Sequence, residues 1–271
     1  MPNLSAKKSL GQHFLTNPKV VEKIVAAGRI EKGAIVVEIG PGTGMLTEGL
    51  LDAGAQVIAL EADLRAVDIL QERFAEAIAT GSLLLHHADV RDAPLSDFVP
   101  RHTPYSVIAN IPYYLSGMLL RTTLESAHQP EQIVFLVQKE VAARIARSDK
   151  ESLLSLSVKA YGTPRYVATV SRGNFSPPPK VDSAILAIDD ISRARFRARG
   201  TPLDEAWFFT VLHAGFSSRR KQLIGNLLSQ LPKPPTKETL LKIFGTLSIP
   251  PTIRGEDLSI EKWRALASAL S

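Results

Sequence analysis

The sequence contains no cysteine. This excludes disulfides, thiolate metal sites and a cysteine nucleophile, and agrees with a reducing compartment. Histidine is scarce: the six residues, at positions 13, 86, 87, 102, 128 and 213, show no metal-ligand spacing. His86-His87 reads as alternation across a strand rather than a zinc pair, so no metal is expected. Long apolar runs are missing too, which argues against a bilayer span. The first residues, MPNLSAKKSLGQHFL, lack the apolar segment of a secretory signal. A cytoplasmic, monomeric protein with no membrane partner is expected.

What is present suits an ordinary globular chain of 271 residues, 45% hydrophobic and 22% charged. The formal charge of +5 is unevenly placed. Residues 1–190 carry 19 Lys and Arg against 21 Asp and Glu; residues 191–271 carry 13 against 6. Basic charge concentrated in one segment is the footprint of a polyanion partner.

Apolar periodicity then divides the chain. Asn17-Pro18 caps and starts a helix over PKVVEKIVAAG, with Gly28 as its stop. AIVVEIG (34–40), QVIALEAD (56–63), SLLLHHAD (82–89), YSVIAN (105–110) and QIVFLVQ (132–138) read as strands. Helical stretches follow the first two of these: MLTEGLLDAG, with Gly54 as its stop, and LRAVDILQERFAEAIA. LSGMLLRTTLE lies between the last two strands, and KEVAARIARS follows the fifth. Such alternation predicts an α/β fold with an open, doubly wound parallel sheet. RYVATV and VDSAILAI add an antiparallel pair at the sheet edge. Past a basic stretch near residue 191 the pattern becomes wholly helical. The expected division is therefore residues 1–190 and 191–271.

Ligands of doubly wound sheets bind at the carboxyl ends of the strands. The first of the strands ends Glu38-Ile39-Gly40-Pro41-Gly42-Thr43-Gly44, a tight turn that lets a ligand approach the backbone at Gly40 and Gly42. No Gly-Lys-Ser/Thr follows, so it is not a phosphate loop, and the spacing is not that of a dinucleotide fingerprint. Glu61, ending the second, is placed to accept both hydroxyls of a ribose. Asp89, ending the third, is placed to accept from an adenine amino group. Together these ends describe a pocket for an adenosyl group without a pyrophosphate, which S-adenosylmethionine fits better than a dinucleotide.

The fourth strand ends Asn110-Ile111-Pro112-Tyr113. The exocyclic amine of a base is a poor nucleophile, its lone pair being delocalised into the ring. The Asn110 side-chain carbonyl and a backbone carbonyl at Ile111 or Pro112 can hold its two N–H groups and direct the lone pair at a methyl. Pro112 stiffens the turn and adds no competing donor. Tyr113 can stack on the base. The bland alternative is a strand-ending turn.

At these residues the chain resembles the small-subunit ribosomal RNA adenine N6,N6-dimethyltransferase family, from about Lys8 to the C-terminus. The similarity runs through Gly11-Gln12-His13-Phe14-Leu15, the Glu38–Gly44 loop, Glu61-Ala62-Asp63 and Asn110–Tyr113. It continues through Gln138-Lys139-Glu140-Val141, the string Phe175–Ser183 and Phe216-Ser217-Ser218-Arg219-Arg220-Lys221. The resemblance implies a Rossmann-like S-adenosylmethionine-dependent methyltransferase domain with a small all-helical C-terminal domain that binds RNA. It implies methylation of two adjacent adenosines in the 3′-terminal hairpin of small-subunit (16S) rRNA, on an immature small subunit, with a role in its biogenesis. His13 and Leu15 would line the cofactor site with Gly40, Glu61, Asp89 and Asn110, and Phe175 would stack on the target base opposite Tyr113. Arg219, Arg220 and Lys221 would meet phosphates, lying in the first turn of a helix capped by Ser217 or Ser218.

Two departures stand out. The family often has Asn where this chain has His13, and Tyr-Gly where it has Leu153-Leu154-Ser155 before Leu156-Ser157-Val158. The rivals are the large-subunit rRNA adenine methyltransferase of macrolide resistance, an inactive RNA-binding assembly factor, and a DNA adenine methyltransferase. Gly11-Gln12 and the Phe175–Ser183 string favour the small-subunit enzyme.

Overall fold

The computed structural model describes residues 4, 7, 11–198 and 200–271. Lys8, where the resemblance begins, and Arg199, in the basic stretch, lie outside them. The chain forms two compact units: residues 1–146 with 163–191, and residues 147–162 with 192–271.

The first unit is built on a seven-stranded sheet. Its elements, numbered in chain order, begin with β1 (Phe14–Leu15), α1 (Pro18–Gly28), β2 (Ile35–Ile39), α2 (Met45–Asp52) and β3 (Gln56–Glu61). There follow α3 (Leu64–Arg73), α4 (Ala75–Ala79), β4 (Leu83–His87), β5 (Tyr105–Asn110), α5 (Ser116–Leu124), β6 (Gln132–Gln138) and α6 (Lys139–Ala146). The unit closes with β7 (Thr163–Val170), β8 (Phe175–Ser176) and β9 (Ser183–Asp189). The strand order is β4-β3-β2-β5-β6-β9-β7, with β2 to β6 parallel and β9 antiparallel to both neighbours. Five of the seven residues in β6 are apolar and six are buried, as a strand covered on both faces requires. The order reverses between β2 and β5, which makes their carboxyl ends the switch point where a ligand crevice opens. Outside this sheet, β1 and β8 form an antiparallel ribbon that pairs Leu15 with Phe175.

Local signals act where the side chains allow. Asn17 caps α1 by accepting from the Lys19 N–H at 3.0 Å. Its left-handed terminal residue is Arg29 (φ 45°), not Gly28. Gly28 is instead a packing residue, since a Cβ there would come within 2.6 Å of Ile108. The helix expected over residues 64–79 breaks at Phe74, whose ring occupies the space beside Gly44. His86 packs on Phe98 with ring centroids 5.2 Å apart, while His87 is exposed.

The second unit contains α7 (Leu153–Tyr161), a two-stranded ribbon of β10 (Arg197–Ala198) and β11 (Thr201–Pro202), and four helices. These are α8 (Glu205–Phe216), α9 (Leu223–Gln230), α10 (Lys237–Thr246) and α11 (Ile260–Ala269). Trp263, Phe208 and Phe244 are fully buried in it. The contiguous boundary at residue 190 is thus corrected: α7 belongs here, although it precedes β7. The reason is Tyr161, whose buried ring meets Phe196 and Phe209 and whose hydroxyl donates to Glu205 at 2.6 Å. A second correction concerns the basic cluster. Arg219, Arg220 and Lys221 are exposed in a turn before α9, not in its first turn. The Lys221 N–H closes that turn on the Ser218 carbonyl, and Gln222, rather than a serine, is the helix N-cap. Among the described residues, no helix is long and apolar enough to cross a membrane.

Candidate active site

A cavity opens at the switch point, walled by residues from the carboxyl ends of β2 to β5 and by residues 11–14. After β2 the chain turns through Gly40 and Gly42 at positive φ, 66° and 58°. A Cβ on Gly40 would meet nothing within 4 Å, so its backbone faces open space. At Gly42 a Cβ would lie 2.9 Å from the Phe14 ring, so only glycine lets that ring close over the turn.

Glu61 stands beneath this turn, 5% exposed. One of its oxygens accepts from the Gly42 N–H at 3.0 Å and the other from the Asp63 N–H at 2.8 Å. Burial pushes its pKa above the ordinary carboxylate value, against those two N–H groups. Each oxygen keeps acceptor capacity for a ligand hydroxyl. Deeper, Glu38 is buried and accepts from Thr47 Oγ1 at 2.7 Å. Burial raises its pKa to about 8, with the neighbouring Glu61 adding to the shift.

Asp63 joins the end of β3 to the N-terminal segment. Its buried carboxylate accepts from Arg65, from Gln12 Nε2 at 3.3 Å and from Lys7 Nζ at 3.3 Å. The Arg65 hydrogen bonds hold its pKa well below the usual range, helped by Gln12 and Lys7. Asp89, after β4, also lines the cavity and is chelated by Arg91, which likewise lowers its pKa. That contact turns the carboxylate into a fixed acceptor rather than a free loop acid.

The turn after β5 supplies the remaining wall. Pro112 sits at φ −57° and ψ 133°, and its carbonyl accepts from the Leu115 N–H at 3.0 Å. The Pro112 carbonyl thus already has one partner, while the Ile111 carbonyl also stands at this wall. Asn110 Nδ2 donates to the His13 carbonyl at 3.0 Å. That bond engages the amide nitrogen and leaves the oxygen of this cavity-lining residue as its acceptor. The Tyr113 hydroxyl lies 2.6 Å from Ser183 Oγ, which fixes its ring, and the His13 ring stacks on it at 6.0 Å. His13 Nδ1 is 2.7 Å from the Pro177 carbonyl, a contact an asparagine amide could also donate.

The structure gathers His13, Gly40, Gly42, Glu61, Asp89, Asn110, Pro112, Tyr113 and Phe175 on one cavity. The Leu15 side chain is buried in the core, and its neighbour Phe14 lines the cavity. Phe175 is only 5% exposed, so its ring is a packed wall rather than a free surface platform. Sequence reading by residue chemistry passed over Gln12, Phe14, Asp63 and Tyr114. The first three sit inside strings quoted for the resemblance, which was the signal available. Tyr114 directly follows the tetrapeptide and lines the cavity while 57% exposed.

The family model described as ribosomal RNA adenine dimethylase matches residues 3–263. A protein from Dehalococcoides mccartyi named ribosomal RNA small subunit methyltransferase A is 39% identical over 264 residues, covering 97% of this chain and 88% of the relative. One of the same name from Lactococcus lactis is 38% identical, covering 97% and 90%. Among solved structures, a dimethyladenosine transferase from Plasmodium falciparum superposes with a TM-score of 0.76 at 27% identity, covering 94% and 96%. The 23S rRNA methyltransferase ErmE superposes with a TM-score of 0.74 at 23% identity, covering 95% and 99%.

Proposed function

The chain belongs to the ribosomal RNA adenine dimethylase family, and from that membership we propose that it transfers methyl groups to N6 of two adjacent adenosines in the 3′-terminal hairpin of small-subunit rRNA, using S-adenosylmethionine. The product at each position is N6,N6-dimethyladenosine. The observation that carries the reading is the Asn110 amide, which lines the cavity with Gly40 and Glu61 and whose nitrogen is tied to the His13 carbonyl, leaving its oxygen as the acceptor for a substrate.

The residues present fit the cofactor. Gly40 leaves open backbone where a side chain would intrude, and Glu61 offers two fixed carboxylate oxygens for the ribose hydroxyls. Asp89, held by Arg91, accepts from the adenine amino group. When bound, S-adenosylmethionine supplies a sulfonium methyl that is already a good electrophile. The protein contributes alignment. Asn110 and the Ile111 carbonyl accept the N–H groups of the target amine, so its lone pair points along the transfer axis. Tyr113, fixed by Ser183, holds one face of the base. The amine becomes acidic only as it gains positive charge, so no strong base is required.

The substrate is the immature small subunit, and the enzyme works in the cytoplasm where that subunit is assembled. The likeness to the 23S enzyme, at 23% identity, carries the fold alone, whereas the relatives at 38–39% identity bear the small-subunit name. Labelled cofactor and undermethylated small subunits test the reading. Label mapped to two adjacent adenosines near the 3′ end of the small-subunit RNA is the expected result. Label confined to large-subunit RNA would overturn it.

A further inference from the structure

A second concave surface of the first unit lies outside the cavity. Lys139 and Glu140 from α6, Arg172 from the turn after β7, and Lys180, Val181 and Asp182 before β9 line an open groove. Lys139, Arg172 and Lys180 are exposed, and among the described residues none of them makes an ion pair. Val181 is 44% exposed, one of the few large apolar side chains left so open. Lys139 and Lys180 lie in two of the strings quoted for the resemblance, at positions that the transfer chemistry does not use.

Backbone contacts fix this groove rather than leaving it to flexible side chains. Asp182 accepts the Lys139 N–H on its carbonyl and the Arg172 N–H on its carboxylate, both at 3.0 Å. The next residue, Ser183, is paired with Gln138 and Val170 and is the hydroxyl partner of Tyr113. One residue therefore separates the groove from the side chain that holds the target base. The groove thus carries three cations, Lys139, Arg172 and Lys180, against two acids, Glu140 and Asp182, and Asp182 is held in place by the Arg172 N–H.

We propose that this groove binds the RNA backbone flanking the target adenosine, with Lys139, Arg172 and Lys180 on successive phosphates and Val181 against a neighbouring sugar or base. The inference rests on the rRNA reading above and names where the strand runs on the first unit. Single-stranded nucleic acid is held in this way, by cations along the backbone with apolar side chains interleaved. A nucleotide leaving the stack needs its flanking phosphates restrained, since extrusion is otherwise opposed by restacking. The groove supplies that restraint beside Tyr113.

The test compares Lys139→Ala/Arg172→Ala/Lys180→Ala with the parent and with a control that loses the same charge elsewhere. That control, Lys23→Ala/Lys32→Ala/Arg101→Ala, alters α1 and the loops before the amino ends of β2 and β5. Binding to a synthetic 3′-terminal hairpin is measured from low to physiological salt, alongside cofactor affinity by calorimetry. The groove variant should flatten the log–log salt slope by about 2, given about 0.7–0.9 per phosphate contact, and leave cofactor affinity unchanged. The control should keep the parental slope. Equal slopes in the groove variant and the parent overturn the proposal, as does a control that flattens as much. A parent that binds the hairpin yet methylates no adenosine in small subunits defeats the rRNA reading while leaving the groove standing.

Discussion

Asn110 donates its side-chain N–H to the backbone carbonyl of His13 across 97 residues of sequence, at 3.0 Å. The contact sets which end of the amide meets the substrate. Asn110→Ala should lower turnover by roughly two to three orders of magnitude while cofactor binding stays measurable. Asn110→Asp should do no better, because it replaces the donor with an oxygen facing the His13 carbonyl. Single-turnover kinetics with small subunits checks both, and near-parental rates would show that the amide does not hold the amine.

His13→Asn should be tolerated. The bond to Asn110 uses the backbone of residue 13, and an asparagine amide can donate to Pro177 as the imidazole does. Turnover within about threefold of the parent is expected; a loss comparable to that of Asn110→Ala would assign the ring itself a role.

Glu61→Ala should weaken cofactor binding by about 10–100-fold, as expected for hydrogen bonds to a charged group worth about 1.5–3 kcal/mol. RNA affinity should not change. Titration calorimetry separates the two, and unchanged cofactor affinity would remove Glu61 from the site.

Phe175 is both wall and core. Its truncation to Ala should cost about 3–5 kcal/mol of stability, whatever its catalytic role. Phe175→Leu is the informative variant: it restores most of the packing and none of the stacking. Thermal melts near parental with turnover reduced at least tenfold would support base stacking, whereas parental turnover would make Phe175 purely structural.

Glu38 gives the protein a pH signature. Its carboxyl titrates at about 8 in the fold against 4.5 ordinarily. Between those values the folded chain keeps a proton that the unfolded chain has released, so stability falls as pH rises through the window, by at most about 1.4 kcal/mol per unit. Glu38→Gln keeps an acceptor for Thr47 and removes the titration. The decline of Tm from pH 5 to 8 should become shallower in the variant, with a residual slope from Glu61, whose pKa is raised in the same direction. Identical slopes would mean that Glu38 is ionised throughout.

The buried strands were readable in advance because runs such as VVEIG and IVFLVQ are short, apolar and rich in β-branched residues, as strands covered on both faces are, and end where glycine or a polar residue appears. The cavity followed, since its residues sit at those ends. What stayed hidden depends on partners distant in sequence. No local signal says that β9 inserts between β6 and β7, that a two-residue β1 pairs with β8, or that α7 joins the second unit through Tyr161. The start of α9 was misplaced because Ser217 and Ser218 are good caps by composition, yet their segment closes as a turn. Nor does composition say that the Phe14 side chain lines the cavity while that of Leu15 enters the core, since side-chain direction alternates along a strand and is set by its register.

Asp63 touches none of the cavity, yet it is the point at which the cavity wall is moored. Gln12 and Lys7 reach it by side chain, and its own N–H holds Glu61. The segment carrying His13 and Phe14 thus shares an anchor with the carboxylate assigned to the ribose. A change at Asp63 would loosen both sides of the bound nucleoside together, lengthening cofactor capture and hastening escape, so that a residue remote from the reaction would set the residence time of the reagent.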